Sequence, residues 1–412
     1  MEFVNGQFTI GNIPVLDIAT QFGTPTYVYD GQTIVNQYNH LFNAFDSDIK
    51  LNLKYACKAL TNINILKLIR KHTNAGIDTV CINEIKLALK AGFKPNEIIY
   101  TPNCVAFSEI EEAIKIGVHI NIDNIPYLQK IGEKYGSNQA ICIRINPHIQ
   151  AGGNANIQVG HIGSKFGISY LQFEEMLTII NQYNITIEGL HIHTGSDILD
   201  ADVFLRGAKV LFDAAKKFPD LKFLDFGSGF KVAYEENAPV TNIERVGKKM
   251  SVAFKAFCKD YGRDLEMWFE PGKFLVSDSG HFVVKTNLIK ESPACTFIGV
   301  NSGFNHLIRP MLYDAHHDII NASNPKGKEK IYDIVGHICE TDTFASNRPL
   351  AETKEKDILV FKNAGAYGFE MSSNFNSRLK PAEVLVWNKE TFLIRKREEF
   401  DALLYNQVEI NL

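Results

Sequence analysis

Leu51-Asn-Leu-Lys-Tyr-Ala-Cys-Lys-Ala-Leu60 is the stretch around which the fold is organised. Apolar side chains alternate along it with polar or small ones, which is the two-residue period of a β-strand whose faces meet different surroundings. We therefore predict a strand over residues 51–58, with Lys58 on its polar face at the carboxyl end. A partly desolvated lysine there can lose its proton and attack a carbonyl, as lysines do when they hold an aldehyde as a Schiff base. The alternative is an ordinary solvated lysine at the end of a strand.

Seven more strand-like segments follow, at intervals that leave room for helices. Helical patterns fill these intervals, for example residues 83–90 followed by Gly92, residues 171–180, and a helix opened by the capping-box sequence Ser108-Glu-Ile-Glu111. Eight strands that alternate with helices predict an α/β fold with a TIM-like (β/α)₈ barrel. The predicted strands cover residues 51–58, 76–82, 98–101, 119–123, 141–146, 187–194, 221–227 and 265–270.

Polar side chains occupy alternate positions in several of these strands. Arg144 and His191, for example, each stand between aliphatic neighbours. The apolar face would pack on the ring of helices, and the polar face would line the lumen and the carboxyl end of the barrel, where barrel active sites lie. Arg144 would then either position His193 or form an ion pair in the lumen with Asp123 or Asp225.

The chain changes character after about residue 280. At 412 residues it exceeds what one core usually supports, and 45% of its residues are hydrophobic, enough for two cores. Strand-like runs separated by turns dominate the last third, and short strands near residues 8–10 and 26–28 have no place in the eightfold pattern. We predict a mostly β, sandwich- or Greek-key-like domain over residues 281–412, completed by residues 1–30, and a barrel over residues 31–280.

The charge balance and the cysteines indicate which partners and which cellular compartment to expect. Lys plus Arg total 43, Asp plus Glu total 47, and no dense basic run occurs, so nucleic acid is not an expected partner. The seven cysteines lack any Cys-x-x-Cys pair, which favours reduced thiols in a cytoplasm. The first residues lack a basic segment followed by an apolar run, and no apolar stretch approaches membrane-spanning length. We predict a cytoplasmic protein with no membrane contact.

His191-Ile-His193-Thr-Gly-Ser196 closes the sixth strand and places two histidines on one face. Such a pair could contribute to a metal site, but a catalytic zinc site needs a third ligand, and no partner motif accompanies it. The pair could also be ordinary core histidines that are hydrogen-bonded in the lumen. We favour a third interpretation, in which a flat imidazole stacks on an aromatic cofactor and the turn to Ser196 offers donors to a phosphate. No metal is predicted.

Glycine-containing turns follow the last two strands. Gly227-Ser-Gly229 lets backbone amides approach a phosphate at a position where barrels often bind one, although the sequence also fits a plain tight turn. In Glu270-Pro-Gly272-Lys273, a buried glutamate needs a partner, and a protonated pyridine nitrogen would serve while keeping its ring an electron sink. Lys273 could meet a phosphate or a substrate carboxylate. The alternative is a structural ion pair between Glu270 and Lys273.

Seven motifs, in order along the chain, extend this pattern. They are Tyr55-Ala-Cys-Lys-Ala-Leu60, His193-Thr-Gly-Ser196, Gly227-Ser-Gly229, Glu270-Pro-Gly-Lys273, Ile308-Arg-Pro-Met-Leu-Tyr-Asp-Ala-His316, Cys339-Glu-Thr341 and Gly365-Ala-Tyr-Gly-Phe369. The set is similar to the signature of the diaminopimelate decarboxylase family, whose members have the alanine-racemase fold (fold type III) and use pyridoxal 5'-phosphate. The resemblance runs from about residue 25 to residue 390.

The resemblance implies a role for each matching residue. Lys58 would form the Schiff base with the cofactor, His193 would stack on its ring, and Cys339 from a second subunit would donate a proton. The implied cofactor-binding set is Lys58, His193, Ser196, Gly227, Gly229, Glu270, Gly272, Lys273 and Tyr367. The implied substrate-binding set is Lys273, Arg309, Tyr313, Glu340 and Tyr367.

Together these roles imply decarboxylation of meso-2,6-diaminopimelate to L-lysine, the last step of lysine biosynthesis, by a homodimer with an active site shared across its interface. A decarboxylase of carboxynorspermidine or of a basic amino acid is an alternative, although Glu340 argues against the carboxynorspermidine branch, whose turn lacks the glutamate. An amino-acid racemase would need a second base, usually a tyrosine. A non-catalytic pyridoxal phosphate carrier is normally a lone barrel.

The chain departs from the family pattern at several positions. Lys273 stands where arginine is usual, Ser228 where glycine is usual, Thr194 where isoleucine is usual, and Thr341-Asp-Thr343 where Ser-Gly-Asp is usual. Lysine keeps the charge but loses the bidentate fork, so the grip on a phosphate or carboxylate changes. The departures concern binding detail more than reaction type.

Overall fold

The computed structural model describes residues 1–149 and 160–412. These residues form two compact units. The barrel unit consists of Val35–Val232 and Pro239–Leu275, and the β unit consists of Met1–Ile34, Ala233–Ala238 and Val276–Leu412. No helix among the described residues is long and apolar enough to span a bilayer.

Strands and helices alternate through the middle of the chain. The strands are β1 (Glu2–Val4), β2 (Gln7–Ile10), β3 (Ile13–Pro14), β4 (Thr26–Asp30), β5 (Leu51–Ala56), β6 (Gly76–Thr79), β7 (Ile98–Tyr100), β8 (His119–Ile122), β9 (Ile141–Asn146), β10 (Ile168–Ser169), β11 (Ile187–Ile192), β12 (Phe223–Asp225), β13 (Glu266–Phe269), β14 (Gly280–Glu291), β15 (Thr296–Val300), β16 (Ile319–Asn321), β17 (Glu329–Val335), β18 (Thr343–Ala351), β19 (Ile358–Phe361), β20 (Ala382–Trp387) and β21 (Glu390–Arg395). The α-helices are α1 (Val15–Phe22), α2 (Gly31–Asn43), α3 (Ile63–His72), α4 (Ile82–Ala91), α5 (Phe107–Ile116), α6 (Ile125–Tyr135), α7 (Phe173–Tyr183), α8 (Ala201–Ala215), α9 (Ile243–Tyr261), α10 (Lys273–Val276), α11 (Arg309–Tyr313) and α12 (Asp401–Leu404).

Eight parallel strands close into a barrel, in the order β5, β6, β7, β8, β9, β11, β12 and β13. The last strand pairs with the first, with Met267 opposite Leu51 and Phe269 opposite Leu53, so that the sheet has no free edge there. All eight predicted strands are present, and the prediction of a (β/α)₈ barrel is confirmed. The small strand β10 adds a parallel pairing to β9.

The predicted extension of the first strand to Lys58 was wrong. The strand ends at Ala56, and Cys57–Ala59 form a 3-10 turn. The backbone N–H of Ala56 donates to Pro271 O, at 3.1 Å, and the N–H of Leu60 donates to Cys57 O, at 3.0 Å. These bonds turn the chain away from the sheet, so Lys58 lies in a turn at the carboxyl end of the strand and not within the strand.

The predicted capping box at Ser108 was also wrong. Helix α5 begins two residues earlier than this box predicts, at Phe107, and its N-cap is Ala106, without a side-chain cap. The carboxylate of Glu109 instead accepts hydrogen bonds from Tyr100 Oη at 2.7 Å and from Ile82 N at 3.3 Å. Tertiary contacts therefore decided where this helix begins. Its end agrees with the sequence, because Gly117 closes it in the left-handed conformation.

The β unit is built on a sheet whose order is β18, β17, β15, β14, β4, β20 and β21, with β16 and β19 joined to it through β14. Strand β4 lies between β14 and β20, antiparallel to the first and parallel to the second. The prediction that the amino-terminal segment completes a mostly β domain is thus confirmed. Val28, Val283 and Val384 belong to the core cluster that also holds Ile10 and Ile18 of the same segment.

The lumen of the barrel is filled near the amino ends of its strands by a small apolar cluster of Ile99, Cys142, Phe223 and Trp268. The rings of Phe223 and Trp268 stack with centroids 3.6 Å apart. Gly189 faces this stack, where a Cβ atom would lie 2.3 Å from the Phe223 ring. The stacked rings of Phe223 and Trp268 therefore fit only because residue 189, on the neighbouring strand β11, is glycine.

Lys54 is buried in the same layer of the lumen. Only 1% of its surface is exposed, its Nζ lies 4.1 Å from the centroid of the Trp268 ring, and it donates to Glu97 O at 3.3 Å. Burial lowers the pKa of Lys54 to about 8, although nearby carboxylates such as Asp225 oppose the shift. Protonated Lys54 is therefore less stable in the folded protein than in the unfolded chain.

This burial predicts a pH-dependent effect of Lys54→Met. Below pH 8, Lys54 is protonated in both the folded and the unfolded protein, and burial of the charged lysine lowers the free energy of unfolding. This destabilisation disappears as the pH rises from about 8 toward the ordinary pKa of 10.5. The unfolding free energy of wild type, minus that of Lys54→Met, should therefore rise by roughly 3 kcal/mol across this range. Denaturant unfolding at several pH values measures it, with Lys67→Met, on the exposed face of α3, as the control. A difference that does not change with pH would contradict the prediction.

Candidate active site

The carboxyl ends of the barrel strands bring together the side chains that the sequence singled out there. Lys58 Nζ lies 2.9 Å from Asp78 Oδ2, at the end of the neighbouring strand β6. The Lys58 side chain is 41% exposed, whereas that of Asp78 is fully buried. Burial and the charge of Glu270 raise the pKa of Asp78 to about 7, although Lys58 opposes the shift. Lys58 thus has a partner that can hold or release a proton near neutral pH.

Glu270 is the centre of a buried polar group in the lumen. Its Oε2 lies 3.2 Å from His191 Nε2, and its Oε1 has no hydrogen-bond partner among the described residues. Asn121 Nδ2 lies 2.7 Å from His191 Nδ1 and donates to it, so the proton of this imidazole is on Nε2, toward Glu270. The buried carboxylate therefore has one oxygen next to an imidazole and one, Oε1, available to a further donor.

Neighbouring charges give two of the buried carboxyl groups of the lumen, those of Glu270 and Asp225, different protonation states. Burial would raise the pKa of Glu270, but His191 and Lys58 outweigh it and hold that pKa below its ordinary value. Burial and the charge of Glu270 raise the pKa of Asp225 well above its ordinary value. Glu270 therefore keeps the negative charge, and Asp225 is the group that takes up a proton.

His193 adds a neutral ring to the same end of the barrel. The backbone N–H of Ser228 donates to His193 Nδ1 at 3.2 Å, so that nitrogen is an acceptor. Burial, together with the charge of Arg144, lowers the pKa of His193 to about 3. The Arg144 guanidinium itself lies over the Phe166 ring, at 4.8 Å from the centroid. A neutral imidazole suits stacking on an aromatic ring.

The metal interpretation can be compared with this geometry. Among the described residues, His191, Asp225 and Glu270 form a group whose potential ligand atoms all lie within 4.8 Å of one another. His193 is not in it, so the two histidines of the sequence motif do not converge as a ligand pair. The hydrogen bond of Asn121 to His191 Nδ1 agrees with the alternative of a lumen histidine.

Two turns near His193 approach each other closely through glycine backbones. Gly229 has φ +117°, and a Cβ atom there would lie 2.3 Å from Gly195 O. Gly227 has φ +62°, and a Cβ atom there would lie 2.6 Å from His193 Nδ1. The Ile198 N–H donates to Gly229 O at 2.8 Å and joins the two turns. Only glycine permits this approach. The N–H groups of Gly227 and Ser228 are engaged by Asp225 Oδ1 and His193 Nδ1, so the amide of Gly229 is the candidate donor of this turn for an anion.

Lys273 is joined to the same turns. Its Nζ donates to Ser196 Oγ at 3.1 Å and forms an ion pair with Asp197. The sequence analysis did not single out Asp197 or Asp78. Asp197 directly follows Ser196, and Asp78 lies within the predicted strand of residues 76–82. The Gly272 backbone lies against Ala56, where a Cβ atom would come within 3.1 Å of the alanine Cβ. Gly272 thus allows the turn after β13 to pack on the end of β5.

The remaining predicted site residues lie in the β unit. Arg309 and Tyr313 are the first and last residues of α11, and Arg309 is buried. Cys339 is exposed, and Asn376 Nδ2 donates to its Sγ at 3.1 Å. Tyr367 has φ +56°. The structure thus brings Lys58, His193, Ser196, Gly227, Gly229, Glu270, Gly272 and Lys273 together in the barrel unit, and it holds Arg309, Tyr313, Cys339, Glu340 and Tyr367 in the β unit.

Asp342 shapes the turn that carries Cys339 and Glu340. Its carboxylate accepts hydrogen bonds from Ile338 N at 2.7 Å and from Phe304 N at 2.6 Å, and it has φ +39°. It occupies the position at which the family pattern has glycine, the residue that adopts such a φ most easily. The two hydrogen bonds stabilise the turn in spite of this conformation, so the departure in sequence preserves a glycine-like backbone.

Comparison with known proteins identifies the class and then the family. Residues 31–277 match the family model described as the pyridoxal-dependent decarboxylase, pyridoxal binding domain. The barrel is therefore that of a pyridoxal-phosphate-dependent decarboxylase. Diaminopimelate decarboxylase of Methanothermobacter thermautotrophicus is 36% identical over 98% of this chain and 96% of its own length, and that of Campylobacter jejuni is 34% identical over 92% and 95%. The chain belongs to the diaminopimelate decarboxylase family.

Solved structures agree with this assignment. Diaminopimelate decarboxylase from Helicobacter pylori, in complex with L-lysine, superposes with a TM-score of 0.87 at 31% identity and covers 95% of this chain and 98% of its own. The enzyme from M. jannaschii reaches a TM-score of 0.91 at 26% identity, with 99% and 98% covered. A lysine/ornithine decarboxylase from Vibrio vulnificus, at 21% identity, shares the fold.

The barrel residues fit pyridoxal phosphate. Glu270 Oε1, buried and without a hydrogen-bond partner among the described residues, can accept a hydrogen bond from a protonated pyridine nitrogen. The glycine turns at Gly195 and Gly229 provide backbone donors for a phosphate, and Lys58 Nζ is at the mouth of the same lumen. The glycine turns thus suit the phosphate of this cofactor, Glu270 suits its ring nitrogen, and Lys58 suits its aldehyde.

The close approach of the turns predicts the effect of Gly229→Ala. A methyl group 2.3 Å from Gly195 O would push the two turns apart and remove the phosphate donors from their positions. Cofactor retained after dialysis should fall severely. Gly262→Ala is the matched control, because Gly262 also has a positive φ, of +79°, but no atom lies within 4 Å of its Cβ position. It should lose only about 1 kcal/mol of stability and keep its cofactor. Equal retention in both variants would contradict the prediction.

Proposed function

We propose that this chain decarboxylates meso-2,6-diaminopimelate to L-lysine and carbon dioxide, as a pyridoxal-phosphate enzyme of lysine biosynthesis. The observation that carries the proposal is the arrangement of Lys58, His193 and the half-satisfied carboxylate of Glu270 in one barrel lumen. The substrate follows from the names of the full-length relatives. Arg309 and Glu340 supply the two charges that a substrate with a distal carboxylate and a distal ammonium requires.

Barrel residues hold the cofactor in this proposal. Lys58 Nζ would hold the aldehyde end of the cofactor, and Asp78, 2.9 Å away, would accept or return the proton of that nitrogen. Glu270 Oε1 would accept a hydrogen bond from the protonated ring nitrogen, because the neighbouring His191 and Lys58 keep the carboxylate charged. The neutral imidazole of His193 would stack on the ring. Pyridoxal phosphate supplies a cationic ring that accepts the electron pair left when carbon dioxide departs.

The phosphate and the substrate are assigned to two further groups of residues. The backbone amide of Gly229, the Ser196 hydroxyl and Tyr367 would bind the phosphate, whereas the Gly227 N–H donates to Asp225 Oδ1 at 2.9 Å and supports the turn. Lys273 supports this group through its contacts to Ser196 and Asp197, and its charge also attracts a carboxylate of the substrate. Substrate side groups are bound by Arg309, Tyr313, Glu340 and Tyr367. Cys339 Sγ returns a proton to the carbon that lost carbon dioxide.

The proposed assembly is a homodimer in which Cys339 and Glu340 of one subunit complete the site of the other. Their turn is exposed in a single chain, where an interface could cover it. The proposed location is the cytoplasm, which agrees with the seven free cysteines. Nucleic acid and membrane are not proposed partners.

Carbon dioxide release from meso-diaminopimelate tests the reaction directly. Wild type should release it and form L-lysine, whereas the LL isomer and L-lysine should be almost unreacted. Lys58→Ala should lose turnover by several orders of magnitude and release its cofactor on dialysis, because the covalent anchor is gone. The exposed Lys67→Ala should retain both properties. Full turnover by Lys58→Ala, or similar rates with lysine and meso-diaminopimelate, would overturn the assignment.

Subunit mixing tests the shared site. Lys58→Ala and Cys339→Ala should each be nearly inactive, yet equal amounts allowed to exchange subunits should recover about a quarter of wild-type activity, because half of the dimers then contain one intact site of two. Cys104→Ala, which changes an exposed cysteine of the barrel unit, should be active by itself. Proven subunit exchange without recovery would show that each site is built from a single chain.

A further inference from the structure

His317 and Arg309 form a buried pair in the β unit. They are 2% and 7% exposed, and Arg309 Nη1 lies 3.1 Å from His317 Nε2. The guanidinium of Arg309 also lies over the ring of Tyr234, with its central carbon 4.4 Å from the centroid. A guanidinium has donors only, so the nitrogen of His317 that faces it has to be an acceptor.

The second nitrogen of His317 determines the tautomer that makes this possible. His317 Nδ1 lies 2.8 Å from the carbonyl oxygen of Lys362, which can only accept, so Nδ1 carries the proton. Nε2 therefore presents its lone pair to Arg309. Burial and the charge of Arg309 lower the pKa of His317 to about 3, so the ring is neutral at physiological pH.

Backbone hydrogen bonds fix these residues relative to one another. The Asp318 N–H donates to Tyr234 O at 3.3 Å, and the Lys362 N–H donates to Asp318 O at 2.8 Å. The Tyr234 ring meets the His317 ring edge-on, with centroids 5.4 Å apart and 80° between the planes. The acceptor and the aromatic face thus have little freedom to follow the guanidinium if it rotates.

We infer that His317, with the face of Tyr234, is a positioning residue that orients Arg309 for the distal carboxylate of the substrate. The inference rests on the proposed function, in which Arg309 binds that carboxylate. Both partners are neutral, so they align the guanidinium without cancelling its charge, and its other N–H groups stay available for a bidentate contact. His317 acts through Arg309 and contacts no substrate atom.

Three variants separate this role from a general effect on folding. His317→Leu removes both nitrogens, whereas His317→Gln keeps an amide donor for Lys362 O and an oxygen acceptor for Arg309. His316→Leu changes the adjacent histidine, which bonds instead with Arg348 and Asp318. His317→Leu should raise the KM for meso-diaminopimelate at least about tenfold, the loss expected for one hydrogen bond to a charged group, with kcat within about threefold of wild type. His317→Gln should recover most of the loss, and His316→Leu should show little change in KM.

Inhibition constants add a second measurement, which compares the affinity of each variant for ligands with and without the distal carboxylate. L-lysine keeps the distal carboxylate and cadaverine lacks it, so His317→Leu should weaken inhibition by L-lysine but not by cadaverine. In an Arg309→Ala background, His317→Leu should have almost no further effect on KM, because the residue through which it acts is absent.

The outcomes distinguish the inference from the proposed function. If wild type decarboxylates meso-diaminopimelate but His317→Leu leaves KM unchanged, or if its effect adds fully to that of Arg309→Ala, the positioning role is wrong. A lower thermal midpoint with a proportional loss of kcat and no change in KM would also overturn it, because it would indicate a structural role. Wild type without activity on meso-diaminopimelate would overturn the proposed function, and the inference with it.

Discussion

Closure of the barrel between its first and last strands is the constraint on which the site depends. Strand β13 pairs in parallel with β5, so the residues that follow both strands emerge at the same end. The chain then turns at once on each side, and Ala56 N donates to Pro271 O across the junction. Lys58 and Glu270, far apart in sequence, are both placed at this end of the lumen, because parallel strands that close a ring must end together.

Electrostatics in the lumen then determine which groups are charged. Three carboxyl groups, of Asp78, Asp225 and Glu270, are buried in the lumen, and the charge of Glu270 raises the pKa of the other two. Only Glu270 has cationic or polar neighbours that hold its pKa below the ordinary value. The result is one stable negative charge beside two groups that can take up a proton. A cationic cofactor ring needs such a single charge, since two would leave an uncompensated buried anion.

In the β unit the buried charge is a cation, Arg309, and its two side-chain partners are neutral. Arg309 is placed between a neutral imidazole and an aromatic ring, and the acceptor nitrogen of His317 is defined by a backbone carbonyl on the other side of the ring. Glu270 keeps its charge because cationic and polar groups surround it, whereas Arg309 keeps its charge available because these two partners do not neutralise it. Both residues follow the rule that a buried ion needs polar partners. In the proposed function, Glu270 then binds a cationic ring and Arg309 binds a carboxylate.

The sequence by itself determined the eight barrel strands, the mostly β unit and the identity of the residues at the strand ends, because alternation and turn residues are local properties. It also indicated the family, through motifs that match residue by residue. Only the tertiary structure decided that Lys58 lies in a 3-10 turn beside Asp78, that Lys273 pairs with Asp197, and that Ser108 does not begin a helix. Each of these depends on a contact between segments distant in sequence, and the energy of such a contact outweighs local preference but leaves no periodic signal along the chain.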